Sequence, residues 1–452
     1  MRIQLRPQNR QQANILLVTL LTCLVIGFIL ASYLVLVSSQ NLSVMRSLAW
    51  NSAIPVLEAG VEEALTQLRH REVSELHSNG WTPVNGRYAK ELRIADSYCH
   101  VAIDVSGPMP VIFSTAFVPA PLAPGVSVGM IQGQIGPSLD DSRFSSGYLR
   151  RSVRVQTIRN AMFARGMVAR DTINLNGNNV STDSYHSMID GRNKNGKYDP
   201  TKRGDKGDVA TNSGVINSLN VGNANIMGKV STGKGGAVAI GPNGIVGDAA
   251  WHKNNSKGMQ PGAFTDDMNA VFDPVEVPFE SGYSIPGSKT VGGVRYTYVL
   301  GDVQYQLSQF GGTVLIQGDA VLHVTDSIGF SGNDSLRIVP GGSLKVYMSG
   351  ASASFAGNAN WNEDGSPLQL QYFGLPGNTS IAISGNGAFS GTIYAPSADL
   401  TLNGGGKDNY DFAGASISKT VKMNGKVQFH YDEALGDYGL ASGYLPVSWD
   451  EL

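Results

Sequence analysis

From Ile15 to Val37 the chain carries no charged residue. As a helix rising 1.5 Å per residue, that run is about 35 Å long, enough to cross the ~30 Å hydrocarbon core of a bilayer. Arg2, Arg6 and Arg10 precede it, and the next basic residue is Arg46. This asymmetry places the N-terminus in the cytoplasm and the rest of the chain on the other side. A cleaved secretory signal has an apolar region of roughly 7–15 residues followed by a small-x-small site. The present run is longer, and Val37-Ser38-Ser39-Gln40 is a poor site, so the expectation is a retained helix over residues 14–38 behind a basic leader, 1–13.

The helix is expected to continue as an amphipathic extension over 39–78. Leu42, Met45, Ala49, Ile54, Leu57, Val61, Ala64, Leu65 and Leu68 recur at three- and four-residue steps. Pro55 lies within the pattern and is expected to kink it. Small residues in the apolar half, Gly27 and Ala31, allow close approach of a neighbouring helix. Glu58, Glu62 and Glu63 read by themselves as a solvated face.

The basic leader, Ala13, the immediate apolar helix and Leu57-Glu58-Ala59-Gly60-Val61-Glu62-Glu63-Ala64 together resemble the PilX-type minor pilins of type IV pilus assembly. The resemblance covers roughly the first 75 residues. It implies cleavage after Ala13, leaving Asn14 first. It also implies assembly through Gly27, Ala31, Glu58, Gly60 and Glu62, with other pilin-like subunits as partners. Val18 falls at the fifth mature position, where most major pilins carry Glu.

Residues 79–160 read as a small β-rich unit. Tyr88–Ile94, Tyr98–Val105, Val111–Val118 and Ser152–Ile158 are strand-like, and Pro119–Gly125 is a stiff break. Arg150, Arg151, Arg154 and Arg159 cluster at the last strand. With a net charge of −2 they read as a solvated face, and no nucleic-acid partner is expected. Cys23 and Cys99 belong to different environments, so no internal disulfide is expected, and Cys99 reads as a small buried residue.

From 161 to 435 the composition becomes decisive. Gly is 55 of 452 residues, against a usual share of about 7 %, and charged residues are 15 % against about 25 %. Asn-Gly or Gly-Asn pairs recur at Asn176, Gly222, Gly332, Gly357, Gly385, Asn403 and Asn424, between short apolar-alternating pieces. Tight corners need positive φ, which Gly gives freely and Asn tolerates. Stacked coils also disfavour like charges about 4.8 Å apart. The expected class is mainly β, with a parallel β-solenoid body; a β-sandwich with Asn-Gly hairpins shares the pattern. The segment Gly385–Pro396 with Asn403–Gly406 resembles the solenoid-like C-terminal domains of PilX-like and other surface proteins. Irregular insertions are expected near 185–212 and 259–300, and a C-terminal tail, 436–452, is expected to cap the stack.

Chemistry is sparse. Asp190–Asp199 has a Ca²⁺-loop flavour, but Arg192 and Lys194 stand where carboxylates would be needed and the terminal Glu is missing. Asp140-Asp141, Asp266-Asp267, and Glu363-Asp364 with Arg337 are the carboxylate candidates for a polysaccharide-cleaving enzyme, without the Gly-His-Gly or Asn-Thr-Asp-Gly elements of polygalacturonase-like enzymes. No enzyme, metal or cofactor is expected. The sequence therefore points to a non-enzymatic component of a type IV pilus or related secretion filament, or of its assembly machinery. It would be held in a bacterial inner membrane, with its body periplasmic or extracellular. A membrane-anchored adhesin for envelope or extracellular ligands is the alternative, which a solvent-facing stripe of Tyr347, Phe355, Trp361, Tyr372 and Tyr394 would support.

Overall fold

The structure, a computed structural model, describes residues 10–70, 76–120, 147–177, 179–357, 360–362, 365–385, 388–404 and 412–452. The chain is mainly β, with one long apolar N-terminal helix and a strand-rich body. It divides into two compact units, residues 1–160 with 442–452, and residues 161–441.

The first unit is built on α1, Arg10–His70. α1 continues through Pro55. Pro55 and Asn51, the residue whose carbonyl loses its donor, are both exposed. Five strands follow: β1 (Thr82–Val84), β2 (Arg87–Ile94), β3 (Ser97–Asp104), β4 (Val111–Pro119) and β5 (Tyr148–Ala161). They pair consecutively and antiparallel. The C-terminal strand Ala441–Glu451 completes the six-stranded sheet beside β5. The segment expected to cap the coils therefore lies largely elsewhere. Arg151 grips Glu451 through two bonds of 2.7 and 3.0 Å and lies 5.1 Å from the Trp50 ring.

The α1 face carrying Ala53, Val56, Leu57, Val61, Ala64 and Leu68 packs on Trp81, Cys99, Val101, Ile112, Ala116 and Val153. Gly60 sits at the closest approach. A Cβ there would lie 2.5 Å from Ser114 Oγ and 3.0 Å from Cys99 Sγ. Ser114 uses that space to donate to the Leu57 carbonyl at 3.0 Å.

In the second unit every strand pairing of the 23-stranded sheet is parallel among the described residues, arranged in three ladders. One runs Val314, Leu336, Trp361, Phe389, Phe412, Phe429. It then continues at Thr182, Ile226 and Val246. The second passes Leu322, Val346, Tyr372, Ile393 and Ser416 to Met167 and Val209. The third passes Ile328, Ala353, Ile381, Leu400 and Val421 to Ile173 and Leu219. Side chains along these ladders form one apolar core. Phe389, Phe412 and Phe429 stack at 4.9 and 4.5 Å, the spacing of paired strands.

Spatial order is thus not chain order. The run 298–432 comes first, and 167–265 is stacked on its end. The chain enters and leaves at the middle, where Met162 N–H donates to the Leu440 carbonyl. Residues 266–297 run back along the stack as a strap. Met268 N–H donates to the Thr232 carbonyl, and Ala270 exchanges two bonds with the Asn212 amide. Tyr394 Oη donates to the Asp273 carbonyl, and Ser284 bridges Gln304 and Gln306. The expected 259–300 insertion is mainly this strap.

The Asn/Gly pairs fall on one corner of the coils. A Cβ on Gly385 would meet the Gly357 carbonyl oxygen at 2.4 Å, and one on Gly357 would meet Gly332 N at 2.7 Å. Gly385 has φ +93° and Gly357 φ +78°, so both close backbone approach and left-handed geometry demand glycine. Gly385→Ala should lower body stability by about 1–3 kcal/mol. Gly60→Val should destabilise the first unit by about 1–3 kcal/mol through overpacking, with Glu58→Ala near neutral. Urea unfolding of the full chain in detergent, followed by site-resolved hydrogen exchange, distinguishes the two units.

Candidate functional site

Two features stand out: the apolar half of α1, and the polar clasp where the two runs of coils meet.

The apolar run of α1 is exposed, with Ile15 at 64 % and Leu36 at 52 %. The most apolar 18-residue window has a mean hydropathy of 2.7, and none of it is buried. By length and composition this half can cross a membrane. Thr19, Thr22 and Ser39 return their hydroxyls to carbonyls of the preceding turn, so the surface offers few free polar groups. Nothing lies within 4 Å of a Cβ built on Gly27, and Ala31 is exposed. Glu58 and Glu62 are exposed, while Gly60 faces its own sheet. Glu63 pairs with Lys90 at 2.6 Å. Arg2 and Arg6 lie outside the described residues. Arg10, Ala13 and Asn14 lie in the first turns of α1. Cys99 is buried, which pushes its thiol up to about 11.

The clasp forms where strand Gln428–Asp432 pairs with Ser181–Tyr185. His430 Nδ1 lies 2.5 Å from Asp183 Oδ1. Tyr198 donates to Asp183 Oδ2 at 2.6 Å, and its ring stacks on His430 at 3.6 Å. Glu433 accepts from Arg192 at 2.9 and 2.5 Å, from Ser184 at 2.8 Å and pairs with Lys206 at 2.9 Å. His430, Asp183 and Glu433 are buried. Their polar groups are occupied by one another, so the arrangement fastens the seam. The Asp190–Asp199 loop is part of this clasp. Its interior is filled by the Asn193 amide, which donates to the carbonyls of His186, Ser187 and Ile189, and by Lys202 Nζ on the Asn193 carbonyl. These are donors, which a cation cannot use.

Adjacent carboxylates here respond oppositely. Glu433 is buried, which raises its pKa, but the Arg192, Lys206 and Ser184 bonds outweigh that and hold it below its ordinary value. Asp432 is raised, chiefly by burial. Its Oδ1 accepts from Ser187 and Ala434 N–H, while among the described residues its Oδ2 meets no donor.

Of the carboxylate candidates, Asp140-Asp141 and Glu363-Asp364 lie outside the described residues. Asp266 and Asp267 are exposed, as is Arg337, and Asp266 accepts from Gly235 N–H. The solvent-facing stripe that would support an adhesin is not seen: Phe355, Trp361 and Tyr372 lie in the interior core, Tyr394 is buried with Val275, and Tyr347 stacks on Phe373 at 4.9 Å. Sequence reasoning missed the clasp because His430 and Asp183 are 247 positions apart, and no local motif announces such a pair.

A family model described as a domain of unknown function (DUF7305) matches residues 303–438, most of the first run of coils and its end. No curated protein matches the chain. Among solved structures it is similar to the competence-associated pilin ComZ from Thermus thermophilus, at 12 % identity and a TM-score of 0.23, with 88 % of this chain and 96 % of that chain covered.

Glu433→Gln should destabilise the body at neutral pH by about 1–3 kcal/mol, since Arg192 and Lys206 then face a neutral partner. Asp432→Asn keeps the Oδ1 acceptor and removes a buried charge, so it should be neutral or stabilising there. The sign follows from linkage. A depressed Glu433 contributes stability above its unfolded pKa that is lost as pH falls through the folded value. A raised Asp432 costs stability as pH rises through its own folded value. Thermal midpoints of both variants between about pH 3 and 8 check this.

Proposed function

We propose that this chain is a pilin-like structural subunit of a type IV pilus or related secretion filament, of the PilX-like minor type, and that its stacked body is a β-solenoid. The supporting observation is the division of α1. Its second half is buried in the first unit's core through Ala53, Leu57, Val61 and Ala64, and its first half presents bare apolar surface from Ile15 to Leu36. In water that surface is unfavourable by about 25 cal/mol per Å², so it belongs in lipid or against other apolar helices. Small residues at Gly27 and Ala31 favour helix packing there. Arg2, Arg6 and Arg10 set the N-terminus in the cytoplasm, with the strand-rich units on the far side of a bacterial inner membrane. A repeated, non-closing helix contact builds a filament, and that role requires packing rather than chemistry.

A photo-crosslinking residue at Leu24 or Phe28, in membranes of the native host, should capture subunits that carry their own uncharged N-terminal run. Mass spectrometry of the native chain should find Asn14 at its start. Adducts confined to lipid, with Met1 intact, would contradict filament membership and leave a permanently anchored surface protein.

A further inference from the structure

The packing face of α1 outruns the sheet it packs on. Ala49, Ala53, Val56, Leu57 and Gly60 meet the first unit's core. Toward the N-terminus the same helical row continues as Leu42, Met45 and Arg46, at steps of three and four residues. Here the row lies open: Met45 is 54 % exposed, and Arg46 is exposed. Lipid is out of reach. Met45 stands about 12 Å of helix past Val37, behind the polar collar Ser38, Ser39, Gln40, Asn41 and Ser43. The headgroup layer on each side of a bilayer is only about 5–8 Å deep.

A second bare apolar surface lies farther along the same unit. A Cβ built on Gly443 would lie 2.8 Å from Arg69 Cα. At the other end Arg151 joins Glu451 to Trp50. Trp50 to Arg69 is about 29 Å of helix, and Gly443 to Glu451 is about 27 Å of strand. The strand Ala441–Glu451 therefore runs alongside α1 and antiparallel to it. Glu451 is on the helix side, so Trp449, Val447 and Leu445, at two-residue steps, share that side. They are 46, 53 and 46 % exposed, along an outermost strand of the sheet. Glu58 borders this row. Glu63 pairs with Lys90 of β2, on the opposite flank of the helix. Glu58 is turned about 140° away from Glu63, toward the last strand, and is exposed.

We infer that these two surfaces meet between copies of this chain. The Leu42–Arg46 face of one copy seats on the Leu445, Val447 and Trp449 row of the next, with Arg46 beside Glu58. Within one copy they cannot meet, because Val447 lies midway along its strand, about 22 Å up the helix from Met45. The charges complement, basic on the overhang and acidic beside the strand. The two surfaces differ, so the contact is heterologous and does not close. This inference rests on the filament reading and names a contact within it. A few side chains fall short of the roughly 1,200 Å² of a stable interface. The contact therefore adds to helix packing among copies already gathered in a membrane, and a chain without the apolar run stays monomeric.

The test uses the full chain in membranes of the native host, with Cys23→Ser to remove the exposed thiol; Cys99 is buried. Met45→Cys with Val447→Cys, oxidised with copper phenanthroline, should give a ladder of disulfide-linked dimers, trimers and higher multimers. Differently tagged copies should co-purify in that ladder, and either cysteine alone should give none. Arg46→Glu should lower the yield about two- to fivefold, and adding Glu58→Lys should restore it. These positions are exposed, so the unfolding midpoint should not move. No multimers from the double variant, while a crosslinker at Leu24 still captures neighbouring subunits, would overturn this contact and leave the filament reading standing. Failure of both captures would overturn both. Dimers from a single cysteine in equal yield would show a symmetric contact, and a yield unmoved by Arg46→Glu would remove the Arg46–Glu58 pairing; either overturns the assignment.

Discussion

The contact between α1 and its sheet is what the first unit depends on. Gly60 lets the helix approach Ser114 and Cys99 within the radius of a methyl group, and the Leu57 carbonyl takes the Ser114 hydroxyl in the same gap. That contact fixes one half of a 61-residue helix. The other half continues the same backbone with no sheet to cover it. A single covalent rod therefore links a folded core to a bare apolar surface, and the proposed role follows from that link.

The body solves a different problem. Each strand leaves its edges open, and the next strand of its parallel ladder closes them. This chain closes the last coil of 298–432 with the first of 167–265, and the clasp of Asp183, His430 and Glu433 fastens that junction. The strap over 266–297 is the covalent consequence: having finished at one end of the stack, the chain must travel back to begin at the other.

What could be read in advance was whatever is local. The uncharged run Ile15–Val37 announced the helix, and the heptad-like face announced Leu57, Val61 and Ala64 as packing positions. The Asn/Gly pairs announced corners, and the glycines at 332, 357 and 385 do stack backbone on backbone. What could not be read was long-range. Nothing near Glu451 says that it pairs with Arg151, so the last strand was expected on the coils instead. Nothing near Val427 says that its neighbour across the ladder begins at Ser181. For the aromatics the pattern alone is silent: alternation along a short strand does not state which side is the core, and Trp361 and Tyr372 lie in it.

The central claim is that α1 has two separable halves, one in the first unit's core and one reserved for lipid or neighbouring helices. Its most direct test is a chain beginning at Asn41, measured by sedimentation without detergent and by urea unfolding. The account predicts a soluble monomer with the unfolding midpoint of the full chain. An aggregated chain, or one whose first unit no longer unfolds cooperatively, would contradict it.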